Sequence, residues 1–132
     1  MKPVSARVTK ALNVGTYIPC VDNTGAKLLQ IISVKGYKGV RGRQPKAGVG
    51  DLIKVSVKEG DVKLRKQVFT ALIIRQKKEY RRKEGIRIKF EDNAAILMTD
   101  EGEPKGTSIK GPVAREAVER FSSVGKIASM VI

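Results

Sequence analysis

Five short segments rich in Val, Ile and Leu dominate the first hundred residues, and they limit the possible folds more than any other feature. Each is five to eight residues long and is followed by turn residues, a pattern typical of a β-barrel or a β-sandwich. The predicted strands are residues 27–34, 52–57, 69–74, 86–90 and 94–98. Since 132 residues is the length of one ordinary domain, we expect a single domain over residues 1–132.

A helical period replaces the strand pattern near the end of the sequence. Apolar residues recur every four positions after Gly111, and Pro112 suits the first position of a helix. We therefore predict a helix over residues 112–121. Gly125 either ends this helix or separates it from a second short turn over residues 126–131.

The charge of the chain says most about its partner. Lys and Arg number 27 against 13 Asp and Glu, which gives a net charge of +14. Nine basic and one acidic residue over 1–50 give +8, thirteen and five over 51–90 give +8, and five and seven over 91–132 give −2. An excess of this size is usually offset by a polyanion. We expect the polyanion on the first two-thirds of the chain and a different surface on the last third.

The densest charge lies in residues 75–89, where eight of fifteen residues are Lys or Arg. Between two predicted strands this stretch should form a protruding hairpin. Arg can bind two phosphate oxygens, Lys supplies a mobile charge, and the Tyr80 ring could stack on a base. We predict RNA contact here, although a solvated hairpin with Tyr80 packed as a hydrophobe fits the same sequence. The candidates are Arg75, Lys77, Lys78, Tyr80, Arg81, Arg82, Lys83 and Arg87.

A second basic element is the stretch 36–50, GYKGVRGRQPKAGVG, between the first two predicted strands. Its glycines allow the backbone to approach a phosphate closely, and a loop this long inside a compact domain is usually functional or disordered. We predict that it contacts a folded RNA; an unordered connection is the alternative. The candidates are Lys38, Arg41, Arg43 and Lys46, together with Lys27 and Lys35 of the preceding strand region.

The sequence offers little for catalysis or for metal binding. It has no His, and Cys20 has neither an imidazole to activate it nor a disulfide partner, which fits a reducing cytosol. No P-loop occurs, and the acidic pairs at 91–92 and 100–101 are more typical of turns than of a Mg²⁺ site. We therefore predict no enzyme, no cofactor and no metal. We also expect no membrane segment, because no apolar run approaches about 20 residues.

The last third of the chain has a separate predicted use. Acidic and apolar side chains share the predicted helix, so one of its faces could meet another protein. The alternative is that the apolar stripe closes the end of the barrel while the acidic residues face water. The candidates for protein contact are Arg115, Glu116, Glu119 and Phe121.

Several blocks, in one order along the chain, resemble a known family. They are residues 20–27 (CVDNTGAK), 31–36 (IISVKG), 47–51 (AGVGD), 68–89 with IIR and YRRK, 90–95 (FEDNAA) and 106–116 (GTSIKGPVARE). From about Val14 onward the chain resembles the universal large-subunit ribosomal protein numbered fourteen, in its archaeal and eukaryotic form. Residues 1–13 look like a variable extension, and residues 121–132 match loosely.

The resemblance implies a five-stranded β-barrel with a projecting two-stranded ribbon and a small C-terminal helical part. It implies a non-enzymatic constituent of the cytoplasmic large ribosomal subunit that binds large-subunit rRNA, touches neighbouring ribosomal proteins and helps to bridge to small-subunit rRNA. It further implies a docking surface for the anti-association initiation factor six. The rival interpretation is a free-standing barrel for single-stranded nucleic acid. The scarcity of aromatic residues, three Tyr, three Phe and no Trp, argues against it.

Overall fold

Residues 2–132 are described by a computed structural model, and they form a mainly β architecture with two short helices. In chain order the elements are β1 (Leu12–Asn13), β2 (Tyr17–Pro19), β3 (Ala26–Val34), β4 (Lys46–Ala47), β5 (Leu52–Gly60), β6 (Val68–Arg75), β7 (Tyr80–Arg81), β8 (Arg87–Ile88), β9 (Ala94–Met98), β10 (Ile109–Val113), α1 (Arg115–Arg120), α2 (Ser122–Ile127) and β11 (Ala128–Val131). Within the described residues these strands form one five-stranded sheet and three two-stranded pairs.

The five-stranded sheet is antiparallel, with the order β2-β3-β5-β6-β9. In β5, Ile53, Val55 and Val57 are buried while Lys54 lies on the other, half-buried face, because successive strand residues point to opposite sides. In contrast, β9 is buried at every position. An unbroken apolar run is typical of a strand covered on both faces. The centre of the core therefore lies along β6 and β9.

The two edges of this sheet, β2 and β9, approach each other through a short junction. Cys20, which follows β2, forms a parallel bridge with Ala95, and the Val21 N–H donates to the Ala95 carbonyl at 3.1 Å. Asp22 accepts hydrogen bonds from the Leu97 N–H at 3.0 Å and from the Cys20 thiol at 3.1 Å. Burial, reinforced by Asp22, raises the pKa of this thiol to about 12. One bridge does not close the sheet, so the mainly β class is confirmed and the barrel is not.

Four of the five predicted strands are confirmed to within three residues, and the fifth, residues 86–90, is confirmed only in part. Residues 86–90 contribute β8, which pairs with β7 and not with the main sheet. The chain turns at Gly85, where φ is +88°, and leaves Ile86 60% exposed. The fifth strand of the sheet is instead β2, which has three residues and is therefore too short to show a period.

The predicted helix starts too early. Pro112 lies in β10, opposite Met130 of β11, and α1 begins at Arg115. The register shifts just before this proline, an irregularity at which its missing N–H is tolerated. Gly125 lies inside α2, and residues 126–131 form the end of α2 and then β11, which runs parallel to β10.

Candidate nucleic-acid interface

The glycine-rich loop, residues 36–46, runs from the end of β3 into β4 and is almost entirely exposed. Its tip turns through two consecutive left-handed residues, Arg41 with φ +61° and Gly42 with φ +72°. The loop contains no Asp or Glu. Lys38, Arg41, Arg43 and Lys46 are exposed, and none forms an ion pair within residues 2–132. Four cations without an internal counter-charge therefore face solvent.

The predicted loop over residues 36–50 extends too far, because residues 47–50 are buried. The entry to this buried stem is fixed by β4, which pairs with β1. At Gly48 a side chain would bring its Cβ within 2.9 Å of the Thr9 carbonyl oxygen, so two backbone segments touch there. The stem belongs to the folded scaffold, and the exposed loop begins from a fixed base.

Gln76 holds this stem with an uncharged side chain that is completely buried. Its carbonyl oxygen accepts a hydrogen bond from the Val49 N–H at 2.9 Å. Its amide nitrogen donates to the Thr9 carbonyl at 3.0 Å and to the Lys78 carbonyl at 2.9 Å. One carboxamide thus joins three parts of the chain: the loop stem, the N-terminal segment (residues 2–13) and Lys78, which lies just before the hairpin of residues 80–88.

Asp51 is the charged counterpart of this fastening. Its carboxylate accepts a hydrogen bond from the Gly48 N–H at 2.8 Å and forms ion pairs with Lys10 at 2.6 Å and Arg120 at 3.1 Å. The base of the loop is therefore fixed to both the N-terminal segment and α1.

The basic hairpin, residues 80–88, does not protrude freely. Tyr80 lies opposite Ile88 and Arg81 opposite Arg87, so the first pair faces the protein and the second faces solvent. The same alternation turns Arg82 inward. Tyr80 is fully buried, so its ring presents no surface for stacking on a base. The predicted base contact of Tyr80 is therefore wrong, and the ring packs as a hydrophobic side chain instead.

Glu116 collects the inward side chains of the hairpin in what we call the Glu116 cluster, formed by Tyr80, Arg82 and Glu116. The Glu116 carboxylate is 2% exposed and accepts hydrogen bonds from the Tyr80 hydroxyl at 3.1 Å and from Arg82 Nε at 2.8 Å. Arg82 Nη2 also donates to the Ile132 main-chain oxygen at 2.6 Å. Burial, followed by the charge of Glu116, raises the pKa of Tyr80 to about 12. Arg82 is thereby neutralised inside the protein.

Arg75 is likewise occupied by the protein. It binds both Asp92 oxygens, at 2.6 and 3.2 Å, and Nη1 donates to the carbonyls of Lys110 and Pro112 at 3.0 and 2.9 Å. A Cβ on Gly111 would lie 3.0 Å from Nη1, and the φ of this glycine is +78°. Arg75 therefore cross-links β6 to β10 and the residues before β9.

The structure divides the fourteen predicted RNA-binding residues into two groups. Arg75, Tyr80 and Arg82 are buried and bound to other parts of the protein. Exposed side chains remain at Lys27, Lys35, Lys38, Arg41, Arg43, Lys46, Lys77, Lys78, Arg81, Lys83 and Arg87. Of this second group, Lys78 pairs with Glu79 at 3.1 Å.

The four residues predicted for protein contact are also divided. Arg115 is exposed, whereas Glu116 is buried in its cluster. Glu119 is half-buried and accepts hydrogen bonds from Ser5 at 3.3 Å, and Phe121 is half-buried against the core. Beside them β11 and the residue after it expose apolar side chains: Met130, Val131 and Ile132.

Sequence reasoning missed the N-terminal segment. The Arg7 N–H donates to the Arg81 carbonyl at 3.0 Å, which adds a third strand-like segment to the basic hairpin. Ala6 and Val8 pack against the core while Arg7 is exposed. The apolar, basic, apolar order of these residues was the available signal, but three residues are too few to predict a strand.

Metal-ligand clusters and membrane-spanning helices are both absent from residues 2–132. No three His, Cys, Asp or Glu side chains converge as metal ligands would, and no helix is both long and apolar enough to cross a membrane. An open cavity of about 620 Å³ lies beside Arg75, but the Arg75 and Asp92 side chains that line it are bonded to each other.

Fold and side chains together define a class: a small, mainly β, strongly basic structural protein with exposed cations on fixed stems. The sequence model of the ribosomal protein L14p/L23e family matches residues 11–132. The chain belongs to this family. It is accordingly a structural constituent of the large ribosomal subunit in the cytoplasmic ribosome, and it is not an enzyme.

Curated relatives match the whole chain and are themselves covered over their whole length. The chain is 54% identical to the large ribosomal subunit protein uL14 of Methanothrix thermoacetophila, 52% to that of Halorubrum lacusprofundi and 50% to that of Methanocorpusculum labreanum. These alignments include residues 1–10, which the family model leaves out. The N-terminal segment is thus shared with these relatives.

Proposed function

We propose that the chain binds folded large-subunit rRNA through the exposed cations of the glycine-rich loop and of the outward face of the basic hairpin. Lys27, Lys35, Lys77 and Lys83 add to this surface. Cations neutralise phosphates regardless of base identity, so the shape and charge of the RNA govern the binding. With Tyr80 buried, Tyr37 is the exposed ring that lies among the basic residues of the glycine-rich loop. So few exposed rings disfavour a free-standing barrel for single-stranded nucleic acid.

The contrast in pairing between inward and outward cations carries this proposal. Arg75 and Arg82, which face the protein, are matched by Asp92 and Glu116. The cations of the glycine-rich loop have no such partner, although the stem of the loop is fixed. Like charges held close together repel, so this surface is stabilised by an external polyanion.

The proposal is tested by the salt dependence of binding to large-subunit rRNA. One variant carries Arg41→Gln with Arg43→Gln, a second carries Arg81→Gln, and Lys63→Gln removes an exposed charge from the turn after β5 as a control. Each lost phosphate contact should reduce the slope of log affinity against log salt concentration by about 0.7–0.9. Arg82 is left intact, since its replacement would disturb the Glu116 cluster.

The salt slope should fall by the equivalent of about two phosphate contacts for the loop variant and about one for Arg81→Gln. It should not change for Lys63→Gln. Equal slopes for all four proteins would remove the loop and the hairpin from the binding surface. Unchanged melting temperatures confirm that each variant is folded.

We further propose that the C-terminal region contacts proteins and that the chain contributes to the intersubunit interface. Arg115, Glu119 and Phe121, with the apolar residues 130–132, would meet a neighbouring ribosomal protein, and initiation factor six is the proposed factor partner. Small-subunit rRNA is the proposed partner across the interface. Glu116 is not offered, because it is buried.

We also propose that residues 1–132 act as one rRNA-binding domain, since both terminal regions pack on the same core; Met1 lies outside the described residues.

Met130→Glu tests the proposed protein contact of the C-terminal region, because it places a charge on an exposed apolar position. It should weaken pull-down of the factor without changing rRNA affinity. Unaltered capture of the factor would place its docking surface elsewhere.

A further inference from the structure

Three arginines stand side by side across the basic hairpin. Arg81 is the register partner of Arg87 in the β7–β8 pair, and Arg7 forms an antiparallel bridge with Arg81 from the other side. Residues directly opposite each other in antiparallel strands project to the same face, with Cβ atoms about 4.5–5.5 Å apart. Arg7, Arg81 and Arg87 therefore form a continuous row, which we call the arginine row.

The other face of the same strands shows that this arrangement is directional. Tyr80 and Ile88 pair on the inward side, and Ala6 and Val8 pack against the core on either side of Arg7. All three arginines are exposed. The row is therefore held by the backbone, and its guanidinium groups are not needed to form it.

Like charges directly opposite each other destabilise a sheet. Within residues 2–132, none of the three guanidinium groups takes part in an ion pair. The pKa of Glu79 is lowered first by its own backbone hydrogen bond and then by Lys78, with which it pairs at 3.1 Å. The charge of Arg87 has only a smaller effect on this pKa. The row is left without a carboxylate of its own.

The surface beside the row is concave. A shallow cavity of about 210 Å³ is lined by Ser5, Arg7, Arg81, Arg82 and Lys83. The Arg82 charge is matched by Glu116, so the uncompensated cations that line this cavity are Arg7 and Arg81 of the row and the neighbouring Lys83. A planar guanidinium with several donors suits phosphate oxygens, and adjacent guanidinium groups suit successive phosphates of one strand.

We propose that the arginine row binds the phosphodiester backbone of rRNA, with Arg7 of the N-terminal segment as an integral member. This inference rests on the proposed function and adds to it a contact that begins outside the two basic elements. It gives the N-terminal segment a direct role in binding, beyond its pairing with the hairpin and with β4.

The test compares Arg7→Gln with Lys63→Gln, which removes the same charge from an exposed side chain outside the row. Binding to large-subunit rRNA is measured over a range of salt concentrations with the full chain. Arg7→Gln should reduce the salt slope by about 0.7–0.9, whereas Lys63→Gln should leave it unchanged. A third variant, Arg7→Glu, should weaken binding further. It should keep or raise the melting temperature of the free protein, because a carboxylate then faces Arg81 across the strands.

The outcomes separate the two proposals. If the unaltered protein binds rRNA and Arg7→Gln behaves like Lys63→Gln, the arginine row is wrong and the proposed function survives. Unaltered protein that shows no salt-dependent binding overturns both. A fall of several degrees in the melting temperature of Arg7→Gln would make Arg7 structural and also overturn the row. The row would also be overturned if Arg7→Gln impaired incorporation into the subunit without losing rRNA affinity. That result would indicate that Arg7 contacts an acidic protein partner.

Discussion

The glycine-rich loop and the basic hairpin have similar charge in the sequence, but the structure uses that charge differently. In the loop all four cations are exposed and unpaired within the described residues. In the hairpin the strand alternation sends Tyr80 and Arg82 inward and Arg81 and Arg87 outward. A basic segment therefore exposes all of its cations when it is a loop, and only about half of them when it forms strands.

Burial forces the inward half to find partners. A charged group inside a protein is tolerated when it is paired and hydrogen-bonded, and Arg82 satisfies this condition through Glu116. The outward half has no such requirement. Substitutions of inward-facing residues should therefore lower stability, whereas substitutions of outward-facing residues should affect the proposed RNA binding.

The largest expected effect is that of Glu116→Gln. It leaves Arg82 buried without its counter-charge, which should cost about 3 kcal/mol of the free energy of unfolding in urea titrations. The control Glu119→Gln alters a half-buried carboxylate and should cost less than about 1 kcal/mol. Replacing both members, with Arg82→Met and Glu116→Leu, should restore most of the loss. A single variant as stable as the natural protein would show that the pair is dispensable.

Arg75→Met should be the next most disruptive. It leaves the Lys110 and Pro112 carbonyls and Asp92 without their donors, and we expect a loss of about 2 kcal/mol. Arg87→Met makes the same chemical change on the outward face and should leave the melting temperature unchanged. Calorimetry of the two variants checks the difference. Equal destabilisation would contradict the division between inward and outward arginines.

Glycines at the two tips provide a matched pair. Gly42 and Gly85 both have positive φ, and neither has an atom closer than about 4 Å to the place of a Cβ. Gly85→Val should lower stability by about 1–2 kcal/mol, because the turn it closes holds Tyr80 and Arg82 in the core. Gly42→Val should weaken incorporation into the subunit with nearly unchanged melting temperature, since an exposed loop can relax. Unfolding of Gly42→Val would assign the loop to the scaffold.

The smallest expected effect concerns alkaline pH. The pKa of Tyr80 is about 12 in the folded protein against 10.0 for the ordinary side chain, chiefly because of burial. The resulting stabilisation is complete below pH 10 and is lost as the pH rises from 10 to 12. Tyr80→Phe removes this dependence, so the stability gap between the two proteins should narrow by about 1 kcal/mol at pH 11. A constant gap in urea titrations from pH 9 to 11 would contradict the shift.

Local patterns in the sequence predicted the strands of the main sheet well. β3, β5, β6 and β9 are long enough to show their apolar character, whereas β2 has three residues and no visible period. Pro112 suits a helix start by local rules, but its pairing with Met130, eighteen positions further on, decides its conformation. The contact between the two edges of the sheet depends on the bridge between Cys20 and Ala95, which no local pattern contains.

For the proposed binding surface, the sequence indicated where the charge is dense but only partly which of its side chains are exposed. The charge density of residues 75–89 is visible in the sequence, but the sequence does not show which face of the hairpin meets Glu116. Alternation held the clue, because an inward Tyr80 requires an inward Arg82. The position of Arg7 could not be predicted, because its bridge partner Arg81 lies more than seventy residues further along the chain.

Gln76 adds a consequence about ionic conditions. It joins three chain segments through neutral hydrogen bonds inside the core, which counter-ions in the solvent do not screen. The exposed cations are, by contrast, fully subject to screening. Under the proposed function, rising salt should therefore weaken RNA binding while the fixed base of the glycine-rich loop stays intact.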